Sequence, residues 1–146
     1  MSGKVRVIIG MLGMDQHEIG ARVVAGLLRD AGLEVVYLGR FNTPQRFVQA
    51  AVQEDADVIG ISAHSWEYLE QVPELIRLLQ EQSLPTRVVV GGSVITPDDA
   101  RALEAMGVAE VFPAGAAPEM IVERIRGLSP DERPEAGPRR PPGAGG

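Results

Sequence analysis

With 146 residues, 45% of them hydrophobic, and a net charge of −6, the chain has the composition of one globular domain large enough for a single core. The absence of cysteine excludes disulfides and thiolate metal sites, and a pI of about 4.9 argues against a nucleic-acid surface. No apolar run reaches membrane-spanning length, and Lys4 and Arg6 precede a short apolar run with no small-residue cleavage site after it, so the expectation is a cytoplasmic protein with no membrane partner.

Val5 to Leu12 is nearly continuous in apolar residues, as in a central parallel strand covered on both faces. Asp15, Gln16 and His17 then fall in a strand-to-helix loop, and a helix beginning just after His17 carries Ile19, Val23, Val24, Leu27 and Leu28 at helical spacing until near Gly32. Glu34 to Leu38 reads as the second strand. Thr43-Pro44 supplies a hydroxyl cap and a proline at the first helical position, followed by Phe47, Ala50, Ala51 and Val52. Asp57 to Ser62 is the third strand, and Ser65 can cap a helix with a stripe of Leu69, Val72, Leu75, Ile76 and Leu79, which Pro73 kinks unless it lies near the first turn. Arg87 to Val90 runs into Gly91-Gly92, Thr96-Pro97-Asp98-Asp99 starts the fourth helix, Val108 to Phe112 is the fifth strand, and Pro118 opens a last helix ending near Gly127.

Strands alternating with helices predict an α/β doubly wound parallel sheet, flavodoxin-like, in the order 2-1-3-4-5, as a single domain over residues 1–128. That order brings the loops after strands one, three and four to one edge, where such sheets bind ligands. In residues 129–146 half of the positions are proline or glycine, and no large apolar residue occurs, which predicts a disordered tail.

Asp15-x-His17-x-x-Gly20 has a specific chemical use. A neutral imidazole ligates a transition metal, a nearby carboxylate fixes its tautomer through the other ring nitrogen, and a glycine lets a bulky ligand approach the backbone. Ser62 and Gly91-Gly92 stand at the ends of the third and fourth strands, on the same ligand-binding edge as the loop of Asp15 and His17. Together these motifs resemble the cobalamin-binding (B12) domain family. The resemblance covers nearly all of residues 4–127 and is closest to the cobalamin domains of methylmalonyl-CoA mutase-type acyl-CoA mutases. There the histidine is the lower axial ligand of cobalt, and the nucleotide tail is buried in the domain.

The resemblance implies cofactor contacts at Asp15, Gln16, His17, Gly20, Ser62, His64, Gly91 and Gly92, with His17 on cobalt. It departs at His64, which replaces the leucine of the family's Ser-x-Leu and reads as a helix-entry residue rather than a second ligand, and at Pro113-Ala114-Gly115-Ala116, where Pro-Gly-Thr is commoner. Trp66 and Tyr68 read as aromatics packing on neighbours or a partner rather than stacking on a ligand. Asp98 and Asp99 read as cap and helix-dipole residues.

The implied function is the cobalamin-binding small subunit of a two-component adenosylcobalamin-dependent mutase, an isomerase subunit inactive alone, whose partner is a large barrel-type subunit binding acyl-CoA. The alternatives are a corrinoid methyl carrier, which usually has a helical cap before the first strand, and a non-catalytic cobalamin sensor or interaction module. A phosphoreceiver is disfavoured because the third strand ends in Ile61-Ser62-Ala63-His64 without an acceptor aspartate, and a flavodoxin because the first loop lacks a hydroxyl-rich phosphate cradle.

Overall fold

The computed structural model describes residues 5–12, 18–63, 66, 68–113 and 115–128, with only the backbone of 18–20. In chain order these form β1 (Arg6–Leu12), α1 (Glu18–Asp30), β2 (Glu34–Asn42), α2 (Pro44–Glu54), β3 (Val58–Ser62), α3 (Tyr68–Glu81), β4 (Arg87–Gly91), α4 (Pro97–Met106), β5 (Glu110–Phe112) and α5 (Pro118–Arg126). The strands make one sheet in the order β2-β1-β3-β4-β5, every neighbouring pair parallel, as the alternation of elements predicts. The predicted tail lies outside the described residues.

The period-two alternation of side chains divides the core. Ile8, Ile59, Ile61, Val88 and Val90 pack on one face with Phe47 of α2, Val72 and Leu75 of α3 and Leu103 of α4. Val7, Ile9, Met11, Val58 and Val89 pack on the other with Ala21, Ala25 and Leu28 of α1 and Val122 and Ile125 of α5. Thr43 and Thr96 cap α2 and α4 as expected, accepting from the amides of Arg46 and Asp99 at 3.1 Å each, with proline following both.

Three of the apolar side chains expected on these helices, Leu69 among them in the core stripe of the third, are exposed: Val23, Val52 and Leu69 at 50%, 49% and 42%. Helix phase explains each. The inward stripe of α1 is Ala21, Ala25 and Leu28, that of α2 is Phe47, Val48 and Ala51, and α3 begins with Tyr68 rather than Leu69 one turn ahead of Val72. Because α3 starts at Tyr68, Pro73 lies inside the helix, beyond the first turn. β5 is shorter than expected, Glu110–Phe112, and β2 longer, running past Leu38 to Asn42. The extension is irregular, since Gly10 pairs with Gly39 but Leu12 with Asn42, and Gly39 and Phe41 take φ of 71° and 65°. At the opposite, amino edge Arg6 is buried, its guanidinium bonded to Glu34 and to the Glu54 carbonyl and its amide to Asp57.

Candidate functional site

The carboxyl edge of the sheet opens into a cavity of about 330 Å³ between the strands and α1 and α5. Its floor exists because of Gly60. That residue shares a face with Val58, toward α1 and α5, and a Cβ there would come within 2.7 Å of Ile9 Cδ1. A valine, as at Val58 and Val89 in the same core layer, would occupy the space. The walls are apolar, with Ala21 and Val24 from α1, Val89 and Phe112 from the sheet, and Ile121 and Ile125 from α5. Among the described residues, polar side chains reach it only from Ser62 and Ser93.

Gly91-Gly92 shapes the mouth of the cavity. Gly91 pairs with Ser62 in register, its carbonyl accepts the Ala63 amide at 2.7 Å, and the Gly92 amide donates to the Phe112 carbonyl at 3.3 Å. A Cβ on Gly92 would fall 1.6 Å from the Ala63 carbonyl oxygen, so the two backbones approach as only glycine allows. On Gly91 a Cβ would stand 3.3 Å from Phe112 Cβ, a tight but adjustable contact.

Of the residues expected at the site, Ser62, Gly91 and Gly92 therefore meet at one place. Gly20 lies in the first turn of α1. Asp15, Gln16, His17 and His64 lie outside the described residues, and the chain carrying the first three connects Leu12 at the end of β1 to Glu18 at the start of α1. Trp66 is exposed, whereas Tyr68 is buried and its hydroxyl donates to Asp99 Oδ2 at 2.9 Å. Burial, and then the Asp99 carboxylate, push the Tyr68 phenol well above its ordinary pKa of 10.0. Sequence reasoning missed two parts of the site. Gly60 had a usable signal, a lone glycine in a strand of branched residues, which often marks a close approach of ligand or backbone. The wall supplied by α5 had none, because nothing local to Ile121 or Ile125 says which strand ends they cover.

The sequence matches the B12 binding domain over residues 5–123. The chain belongs to the B12-binding domain family. It is 40% identical over 124 residues to the 2-hydroxyisobutanoyl-CoA mutase small subunit of Aquincola tertiaricarbonis, covering 85% of this chain and 91% of that protein. It is 40% identical over 131 residues to the pivalyl-CoA mutase small subunit of Xanthobacter autotrophicus (strain ATCC BAA-1158 / Py2), covering 90% and 88%. Among solved structures a cobalamin-binding protein from Desulfitobacterium hafniense DCB-2 superposes with a TM-score of 0.71 at 18% identity, over 83% of this chain and 58% of that one, a likeness of fold.

The cavity fits part of a B12 cofactor. Its volume is at the small end of ligand sites, which run from about 300 to 1,000 Å³, so it suits one flat group of a large ligand rather than a whole corrin ring. Apolar walls suit the faces of a fused aromatic ring, and a serine hydroxyl at the mouth can serve a ring nitrogen.

Proposed function

We propose that this chain is the cobalamin-carrying small subunit of a two-component, adenosylcobalamin-dependent acyl-CoA mutase. The observation that carries the reading is an apolar cavity, entered past Ser62 and Gly91-Gly92, in a chain similar over nearly its whole length to small subunits of two acyl-CoA mutases. In this reading His17 would ligate cobalt, Asp15 would accept from its other ring nitrogen and fix the tautomer, and Gln16 and Gly20 would contact the cofactor from the same segment. The apolar cavity would hold the benzimidazole nucleotide tail, with the Ser62 hydroxyl available to a ring nitrogen, and His64 would add a further cofactor contact.

When bound, adenosylcobalamin supplies radical chemistry through homolysis of its cobalt–carbon bond. The work of this chain is to bind and orient. The walls from α1, α5 and the sheet exclude water from the tail, and Gly91-Gly92 keeps the mouth open to a planar group. The partner is a large barrel-type subunit that binds the acyl-CoA substrate. Mixing the purified chain with adenosylcobalamin and its large subunit should give isomerisation of a branched or linear acyl-CoA that neither protein performs alone. Full activity of the large subunit with cofactor but without this chain would overturn the reading.

A further inference from the structure

One rung of the sheet floors the cavity. Ile9 pairs with Gly60 and Gly60 with Val89, so the missing side chain of Gly60 leaves a slot between two branched ones. A Cβ on Gly60 would come 2.7 Å from Ile9 Cδ1 and 3.6 Å from Val89 Cγ2, the two sides of that slot. Ser62 lies on the same face two residues nearer the carboxyl edge, a rise of about 6.6 Å along a parallel strand, and pairs with Gly91. This spacing matches the long axis of a fused two-ring base. A flat base with one end beside Ser62 would bring its far ring to the rung of Ile9, Gly60 and Val89, in a cavity that Val24 of α1 and Ile121 and Ile125 of α5 also line.

The far end offers a polar group no partner. Among the described residues the polar side chains that line the cavity are Ser62 and Ser93, at and beyond the carboxyl ends of β3 and β4. The backbone at the rim is engaged within the protein: the Gly91 carbonyl accepts from Ala63, the Gly92 amide donates to Phe112, and the Ala116 amide donates to Pro113. Water is a poor substitute there, because a buried water needs polar partners of its own and apolar cavities stay dry.

We propose that this cavity selects the tail base of its cofactor by polarity, accepting a benzimidazole and rejecting a purine. The inference rests on the reading of the cavity as the tail site. Both base classes are flat, fused two-ring systems of similar size, so shape does not choose between them. Dimethylbenzimidazole carries two methyl groups on its six-membered ring, which would sit against Ile9 and Val89. Adenine carries an amino group and two ring nitrogens there, and each would lose water without gaining a partner. Leaving a buried donor or acceptor unpaired weakens binding about 10-fold or more, and an apolar pocket rejects an added polar group by about 100-fold at most, so the expected preference is about 10–100-fold.

The test is equilibrium dialysis of the full chain against three cofactors: adenosylcobalamin, its analogue with adenine as the tail base, and adenosylcobinamide, which has no tail. Ile121→Gln and Val24→Thr each place a polar group in a half-buried wall position, on opposite helices, and Ile121→Val is the apolar control. Whatever release of the base from cobalt costs each free cofactor is the same for every variant, so a change in the affinity ratio reports the walls alone. The unsubstituted chain should bind adenosylcobalamin at least about 10-fold more tightly than the adenine analogue. That ratio should shrink at least about threefold in folded Ile121→Gln or Val24→Thr and stay unchanged in Ile121→Val. Equal or tighter binding of the adenine analogue by the unsubstituted chain, with both tailed cofactors exceeding adenosylcobinamide, would overturn the proposal, as would a ratio that no folded polar variant moves. Tailed cofactors that bind no more tightly than adenosylcobinamide would instead remove the reading of the cavity as the tail site, and this inference with it.

Discussion

The hydroxyl of Tyr68 donates to Asp99 Oδ2 at 2.9 Å, joining the first turn of α3 to the first turn of α4 across 31 positions of sequence. These helices follow the two loops, after β3 and β4, that flank the mouth of the cavity, so the bond braces the edge on which the cofactor is proposed to sit. Tyr68→Phe should destabilise the fold by about 1 kcal/mol, since Asp99 is only half-buried and water can take the vacated place. The phenol is raised above its unfolded value, so its stabilisation is complete below about pH 10 and is lost as the pH rises through the folded value. Urea melts between pH 8 and 11 should show stability falling above pH 10, with a shallower fall in Tyr68→Phe. Parallel slopes would assign the fall to other groups.

The paired glycines at the mouth should not be equivalent. Gly92→Ala would drive a methyl group into the Ala63 carbonyl and should cost about 3 kcal/mol or more, lowering the melting temperature and cobalamin affinity together. Gly91→Ala meets Phe112, its nearest atoms being Cβ at 3.3 Å and the carbonyl oxygen at 3.5 Å, and should cost less. Thermal melts of the two variants rank them directly, and a more damaging Gly91→Ala would contradict the placement of the β4 end.

Filling the cavity should separate tail binding from the remainder of the ligand. Ala116 is half-buried in its wall, and Ala116→Leu should leave the fold intact while weakening cobalamin about 10-fold. Cobinamide, lacking the tail, should bind within about twofold of the unsubstituted chain. Titration of both ligands checks this, and equal weakening of the two would place the tail elsewhere.

The strand order, both threonine-proline helix starts and the convergence of Ser62 with Gly91-Gly92 were legible in the sequence, because each follows from periodicity, local capping or connectivity. What was not legible depends on contacts between distant segments. The extension of β2 through Phe41 and Asn42 needs the Met11 carbonyl, 31 residues earlier. Tyr68 could not be assigned to Asp99 from a pattern in either helix, and each aspartate after Thr96 fits a first-turn acid equally well. Val23 and Leu69 show the limit of apolar spacing itself, since neighbouring phases of a helix both look amphipathic until the packing partner is known.

Asp15→Asn should weaken cobalamin binding by about 10–100-fold, because it perturbs a partner of the ligand and leaves the ligand in place. His17→Ala should weaken it further. Equal abolition by both, with the fold intact by circular dichroism, would make Asp15 a structural cap.

The most direct measurement is the electron paramagnetic resonance spectrum of the Co(II) cofactor on the unsubstituted chain, with and without nitrogen-15 in its histidines. Ligation by His17 predicts that the nitrogen splitting of the cobalt lines changes from a triplet to a doublet on labelling, and that His17→Ala abolishes this change. A triplet that survives labelling would mean that benzimidazole stays on cobalt, contradicting the assignment of His17 as ligand and of the cavity as the site of a released tail.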